Sequence, residues 1–103
     1  MSSGLPDMEL LPAPALREAA ECLKVLAHPV RLRIVDILMQ GQFPVSDIAD
    51  MCDVQPHQCS EHLRLLQGHG LLQSKRSGRC VYYRISDRRL PEMLKCVRRA
   101  YTE

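Results

Sequence analysis

No run of apolar residues in this chain of 103 residues approaches the roughly 20 that a membrane-spanning helix requires, so no span is expected. The amino-terminal stretch MSSGLPDMELLPAPA has no basic segment leading into an apolar one; it is not read as a secretory signal, and the expected location is the cytoplasm. The five cysteines include no CxxC or CxC pair, which removes the commonest zinc and dithiol spacings. There is no glycine-rich phosphate loop, no Ser/His/Asp set and no carboxylate pair in workable relation, so no enzyme is expected. Internal repeats and low-complexity tracts are also missing. At about one domain, the chain can bury one modest core but cannot add a separate catalytic domain.

What the chain does carry is concentrated in residues 45–85, VSDIADMCDVQPHQCSEHLRLLQGHGLLQSKRSGRCVYYRI. The pattern is two short helices joined by a tight turn, followed by a β-hairpin with a basic tip. That is how a winged helix-turn-helix is written. In such a unit the second helix can enter the DNA major groove while the hairpin reaches for phosphates.

Rotating that second helix by about 100° per residue, with Cys59 at the core, brings Leu63 and Leu66 within about 40° of it. Pro56 and His62 fall on the shoulders of this buried stripe. His57, Glu61 and Arg64 lie opposite, flanked by Gln58 and Ser60. With Gln55 just ahead, they form the candidate DNA-reading set, because Gln and Arg can pair bidentately with base edges and the first turn is where a recognition helix touches bases. A merely solvated helix face has the same composition. Pro56 suits the first helical position, where its missing N–H has no intrahelical partner to lose. Gly68 or Gly70 is expected to end the helix in a left-handed cap.

Residues 71–75 and 80–85 flank Arg76, Ser77, Gly78 and Arg79, with Ser-Gly the expected turn centre. Val81, Tyr83 and Ile85 alternate with Cys80, Tyr82 and Arg84, so one hairpin face can pack on the helices while the other stays wet. Lys75, Arg76 and Arg79 are expected to cluster at the tip, binding phosphate or simply adding solubilising charge. From Pro56 to Arg84 five Lys or Arg stand against one acid, Glu61, a net +4, whereas the whole chain is +2. Positive charge is thus concentrated where a phosphate backbone would lie.

Outside this unit, residues 15–26 place Leu16, Ala19, Ala20, Leu23 and Leu26 on one stripe of an amphipathic helix. His28 and Pro29 mark the next start, and Val30, Ile34, Ile37 and Leu38 form the inward face of a second helix reaching about Gln40. Residues 45–51 form a third, entered through Pro44. Leu90 to Tyr101 forms a last helix with Leu90, Met93, Leu94 and Val97 on one side. Three prolines in the first fourteen residues set off residues 1–13 as a flexible arm from a domain at 14–103, although Leu10 and Leu11 can pack against a partner.

Three segments in one register resemble the ArsR family of bacterial winged-helix repressors. LAHPVRLRIVDIL is similar to the family's second-helix segment, Pro-x-Arg-x-x-Ile/Leu after a short apolar run. CSEHLRLLQGHGLL is similar to its recognition-helix signature, and GRCVYYRI to its second wing strand. The resemblance covers residues 23–85, and three motifs in fixed order are more specific than any one. It implies a mostly α fold with a small β-hairpin, α-α-α-α-β-β-α, and a twofold dimer built by the first and last helices. Double-stranded DNA at an inverted-repeat operator is the implied partner. Where the family has a Ser or Thr cap on the third helix this chain has Pro44, so the capping bond is expected to be lost, while Phe43 and Ile48 can form a hydrophobic staple there.

The family's metal sensors place a Cys-x-Cys pair at the start of the third helix, where this chain has Pro44 and Ser46, or use histidines on the last helix, where it has none. Neither metal site is therefore expected, and no cofactor is required. Cys52 and Cys59 fall in slots the family fills with aliphatic residues, and free Cys behaves as a small hydrophobe. A zinc site from Cys52, His57 and Cys59 has unfavourable directions, since Cys59 points in and His57 out. Cys80 is either packed or exposed. Cys22 and Cys96 lie on the two helices expected to meet at the dimer interface, so a redox or thiophilic-metal effector can act there, provided the sulfurs approach. The expected function is a homodimeric transcriptional repressor released from its operator by an effector. The alternative is a winged-helix protein-interaction module without DNA readout.

Overall fold

The computed structural model describes residues 8–102. The expected arm therefore lies partly outside the described residues, and residues 8–12 carry no helix or strand. The elements run α1 (Ala13–Leu26), α2 (Pro29–Leu38), β1 (Phe43–Pro44), α3 (Val45–Cys52), α4 (Pro56–Gly68), β2 (Leu72–Ser77), β3 (Cys80–Ile85) and α5 (Arg89–Tyr101). The expected order holds with one addition, the short strand β1.

Helix starts follow from local chemistry. His28 caps α2, its Nδ1 accepting from the Val30 N–H at 3.1 Å while Pro29 occupies the first turn, where a missing donor is harmless. At α3 no side chain caps the helix at Pro44. Instead Phe43 packs on the core to which fully buried Ile48 belongs, and the two occupy the sequence positions of a hydrophobic staple. Before α5 the Asp87 carboxylate accepts from the Arg89 backbone N–H at 2.9 Å and from its guanidinium at 2.7 Å. That hydrogen bonding holds the Asp87 carboxyl below its ordinary value against a partial opposing effect of burial.

The core draws on every element except β1 in full burial. Ile34 and Val35 of α2, Ile48 of α3, Cys59, Leu63 and Leu66 of α4, and Leu90 of α5 have no exposed surface, and Leu71, Leu72 and Tyr83 close it from the wing side. Burying such a Leu or Ile contributes about 1.5–3 kcal/mol each. No buried side-chain polar atom lacks a partner among the described residues. α1 joins this core only at its end, through Val25 and Leu26. Leu16 and Leu23, on the stripe expected to be apolar and covered, are 52% and 53% exposed, and Leu10 and Leu11 more so. The first helix thus presents its apolar side outward instead of covering the protomer's own core.

The hairpin expected from the sequence is a three-stranded antiparallel sheet of order β1-β3-β2, Phe43 pairing with Tyr83 and Pro44 with Tyr82. A two-residue strand gives no periodicity to read, and Pro44 is tolerated because β1 is an edge. In the wing, Ser77 pairs with Cys80, so the loop is Gly78-Arg79, not a turn centred on Ser77-Gly78. Gly78 takes φ +62°, the conformation that a two-residue loop with glycine first demands. Arg76 therefore belongs to strand β2.

Candidate nucleic-acid interface

α3 and α4 form the helix-turn-helix, and the turn between them is closed by backbone geometry. Asp53 adopts φ 56°; its N–H bonds the Asp50 carbonyl at 3.2 Å and the Val54 N–H bonds that of Ala49 at 3.1 Å. This is the Schellman arrangement, with Asp where glycine is usual. The same closure ends α4: the Gly70 N–H bonds Gln67 O at 2.9 Å and the Leu71 N–H bonds Leu66 O at 3.0 Å. Gly70, at φ +75°, is the capping glycine, while Gly68 is the last helical residue.

α4 buries Cys59, Leu63 and Leu66 and exposes His57, Gln58, Glu61 and Arg64, with Ser60 half-buried and Gln55 exposed at its N-cap. Pro56 occupies the first turn as expected, but is exposed and does not shoulder the core. The Gln58 Oε1 accepts from the Gln55 backbone N–H at 3.3 Å, so this side chain already serves the helix start. Among the described residues, His57, Glu61 and Arg64 form no side-chain hydrogen bond or ion pair, and their polar atoms stand free on one face.

The wing register separates its cations. Leu72 and Ile85, Ser74 and Tyr83, and Arg76 and Val81 are opposed pairs; Gln73 and Arg84, Lys75 and Tyr82, and Ser77 and Cys80 are the others. Alternation sends the first set to one face and the second to the opposite face. Lys75 and Arg76 thus project to opposite sides of the ribbon, while Arg79 sits in the loop. This corrects the expectation of one cluster at the tip. Arg84 donates to Gln73 Oε1 at 2.7 Å across its pair, and Cys80 is exposed.

The other cysteines have distinct surroundings. Burial pushes the Cys59 thiol up to about 11, reinforced by nearby Cys52, and burial also raises Cys52 against the opposing effect of Arg33. Both thiols are therefore poor nucleophiles at neutral pH. With Cys59 buried and His57 exposed, the zinc arrangement with Cys52 is not formed; no group of three or more His, Cys, Asp or Glu suited to a metal ion occurs among the described residues. Cys22 is half-buried and lines an apolar cavity of about 420 Å³ with Ala19, Leu23, Arg89, Glu92 and Met93. Cys96 is exposed on α5 and is not part of that lining.

One residue absent from the expected site set stands behind the interface. Arg31 Nε donates to the Val25 carbonyl at 2.6 Å and its Nη1 lies 3.2 Å from His62 Nδ1. Its only signal in the sequence is its place in the LAHPVR segment.

A helix-turn-helix domain family matches residues 26–74. The chain is 39% identical over 87 residues to the HTH-type transcriptional repressor SmtB of Mycobacterium tuberculosis, covering 81% of this chain and 64% of that protein. It therefore spans somewhat less than two thirds of that relative's length. Identity to the HTH-type transcriptional regulator NmtR of the same organism is 33% over 84 residues, covering 82% of this chain and 70% of NmtR. Among solved structures, the homodimeric winged helix-turn-helix DNA-binding domain of a possible ArsR-family transcriptional regulator from Mycobacterium bovis superposes with a TM-score of 0.76 at 30% identity, over 96% of this chain and 89% of that one. From the buried and free faces of α4, the wing behind it and these likenesses along most of the chain, this protein belongs to the ArsR family of winged helix-turn-helix regulators.

Proposed function

We propose that this protein is a homodimeric, sequence-specific DNA-binding repressor acting in the cytoplasm, a binding protein and not an enzyme. The observation that carries the proposal is the row His57, Glu61 and Arg64 on α4, exposed and without side-chain hydrogen bonds or ion pairs among the described residues, in a molecule whose wing bears Lys75, Arg76 and Arg79. Gln55, Gln58 and Ser60 complete the reading set, and an inverted-repeat operator would match a twofold protein. Dimerisation through α1 and α5 is supported by the half-exposed Leu16 and Leu23 and by Val97, 37% exposed. The relative named as a repressor, SmtB, the regulator NmtR and the homodimeric domain from Mycobacterium bovis support the same reading.

Selection from a random duplex pool followed by a mobility-shift titration tests the proposal. A recovered inverted repeat bound at least about a thousandfold more tightly than scrambled DNA is expected. Equal affinity for both duplexes, or no binding, overturns it and leaves a protein-interaction module.

For release from the operator we propose an effector with thiol chemistry acting at Cys22 and Cys96, with no cofactor needed for folding. Cys22 at the α1/α5 cavity and exposed Cys96 support this choice over the deeply placed Cys59. Oxidant or a thiophilic ion is expected to weaken operator binding in the native protein and in Cys52→Ser, but not in Cys22→Ser or Cys96→Ser. Native binding indifferent to both agents overturns the assignment, since an effector shifts binding only through its differential affinity for the two states.

A further inference from the structure

His62 sits on the recognition helix but does not belong to its DNA face. Half-buried, it turns toward the start of α2, where its ring lies 4.7 Å from that of His28 at 50° and its Nδ1 is 3.2 Å from Arg31 Nη1. Guanidinium has no acceptor, so His62 Nδ1 must carry the lone pair and the ring proton must be on Nε2. The same guanidinium reaches α1 through Nε, which donates to the Val25 carbonyl at 2.6 Å. One planar group thereby spans the end of the helix with the outward apolar stripe and the helix with the outward polar face. His28, whose Nδ1 also accepts, from the Val30 N–H, completes the cluster.

We propose that Arg31 and His62 form a latch that positions the recognition helix against the end of α1, and that protonation of His62 opens it. A proton on Nδ1 converts the acceptor into a donor and sets an imidazolium against the guanidinium. Both residues are positioning residues in this scheme, since neither is placed to touch a base. The groups facing His62 are His28 and Arg31 from the start of α2 and Glu61 from its own helix, and α1 contributes the Val25 carbonyl. Burial, His28 and Arg31 together hold His62 below the ordinary imidazole value, outweighing Glu61. Because the folded-state value is depressed, the contribution of neutral His62 to stability is complete above about 6.5, the unperturbed value, and is lost as pH falls through the folded-state value. The consequence for operator affinity rests on the proposed DNA binding; the latch itself does not.

Two measurements need no DNA. Imidazole NMR titration of the native protein is expected to place His62 below about 6.5, the free value, and Arg31→Met to move it upward. Thermal unfolding between pH 5 and 8 is expected to show an acid loss that flattens in His62→Asn, whose amide oxygen can take the place of Nδ1 but does not titrate. A His62 that titrates at the free value, or an acid loss as steep in His62→Asn as in the native protein, overturns the latch. In mobility shifts at pH 7.5 and 5.5, the ratio of specific to non-specific affinity is expected to fall by about tenfold in the native protein, the size of one charge-assisted hydrogen bond. His62→Asn should retain the pH 7.5 ratio and lose the fall. The ratio is the readout because a change in the protein's overall charge alters attraction to phosphate equally on both duplexes. A ratio that falls equally in both proteins overturns the link to DNA reading, whereas a native protein that selects no duplex refutes the proposed function while the titration and unfolding still decide the latch.

Discussion

Gln67 Nε2 donates to Ser74 Oγ across 3.0 Å, tying the last turn of α4 to the first wing strand. The bond joins the two parts of the molecule that would meet DNA in different ways, the helix at base edges and the wing at phosphates. It is exposed and neutral, so Gln67→Ala should lower folding stability by at most about 1 kcal/mol. A larger proportional loss is expected in operator affinity, since the angle between helix and wing would no longer be held. Chemical denaturation and mobility shift on the same variant separate the two effects; operator affinity unchanged within error would make the bond irrelevant to DNA binding.

His57 and Gln58, neighbours on α4, should differ when replaced by Ala. His57 has no intramolecular duty among the described residues, so His57→Ala is expected to weaken specific binding by about 1–3 kcal/mol with little change in stability or non-specific binding. Gln58 also accepts from the Gln55 N–H, and its loss should cost up to about 1 kcal/mol of stability in addition. Titrations on cognate and scrambled duplexes check the first claim and thermal melts the second. Equal losses on both duplexes for His57→Ala would remove it from base readout.

The wing cations give a salt-dependence test. Replacing a residue that neutralises a phosphate should flatten the slope of log K against log salt by roughly one unit, because one fewer counterion is released on binding. Arg79, in the loop, is expected to show the full effect. Lys75 and Arg76 project from opposite faces of the ribbon, so their effects should be unequal unless the wing sits edge-on in a groove with phosphates on both sides. An unchanged slope in the Arg76→Ala/Arg79→Ala double variant would leave the wing as a structural hairpin.

Leu23 is 53% exposed in the protomer, whereas Met93 is half-buried and packs on the core. Leu23→Glu is therefore expected to leave the protomer folded and to abolish the dimer, because a charge there would be stranded in the subunit interface at a cost of several kcal/mol. Met93→Glu should reduce both folding stability and dimerisation. Sedimentation with circular dichroism on each variant distinguishes them. A native protein that sediments as a monomer at micromolar concentration would overturn the proposed assembly.

Sequence alone determined the features that depend on neighbours along the chain. The buried stripe of Cys59, Leu63 and Leu66, the helix starts marked by His28 and Pro29 and by Pro56, and the alternation of Val81, Tyr83 and Ile85 with Cys80, Tyr82 and Arg84 follow from helical or strand periods and from backbone groups a few residues away. These constraints are local, and they were enough to resemble a known repressor pattern and to mark the outward face of α4. Tertiary structure decided what depends on pairing distant segments. Strand β1 is too short to carry a period and exists because Phe43 and Pro44 meet β3. The opposed directions of Lys75 and Arg76 come from the strand register, in which a shift of one residue exchanges the faces. Arg31 and His62 are separated by 31 positions, so nothing in their own neighbourhoods announces that they meet. Only the packing of α2 against α4 brings a guanidinium and an imidazole lone pair within hydrogen-bonding distance.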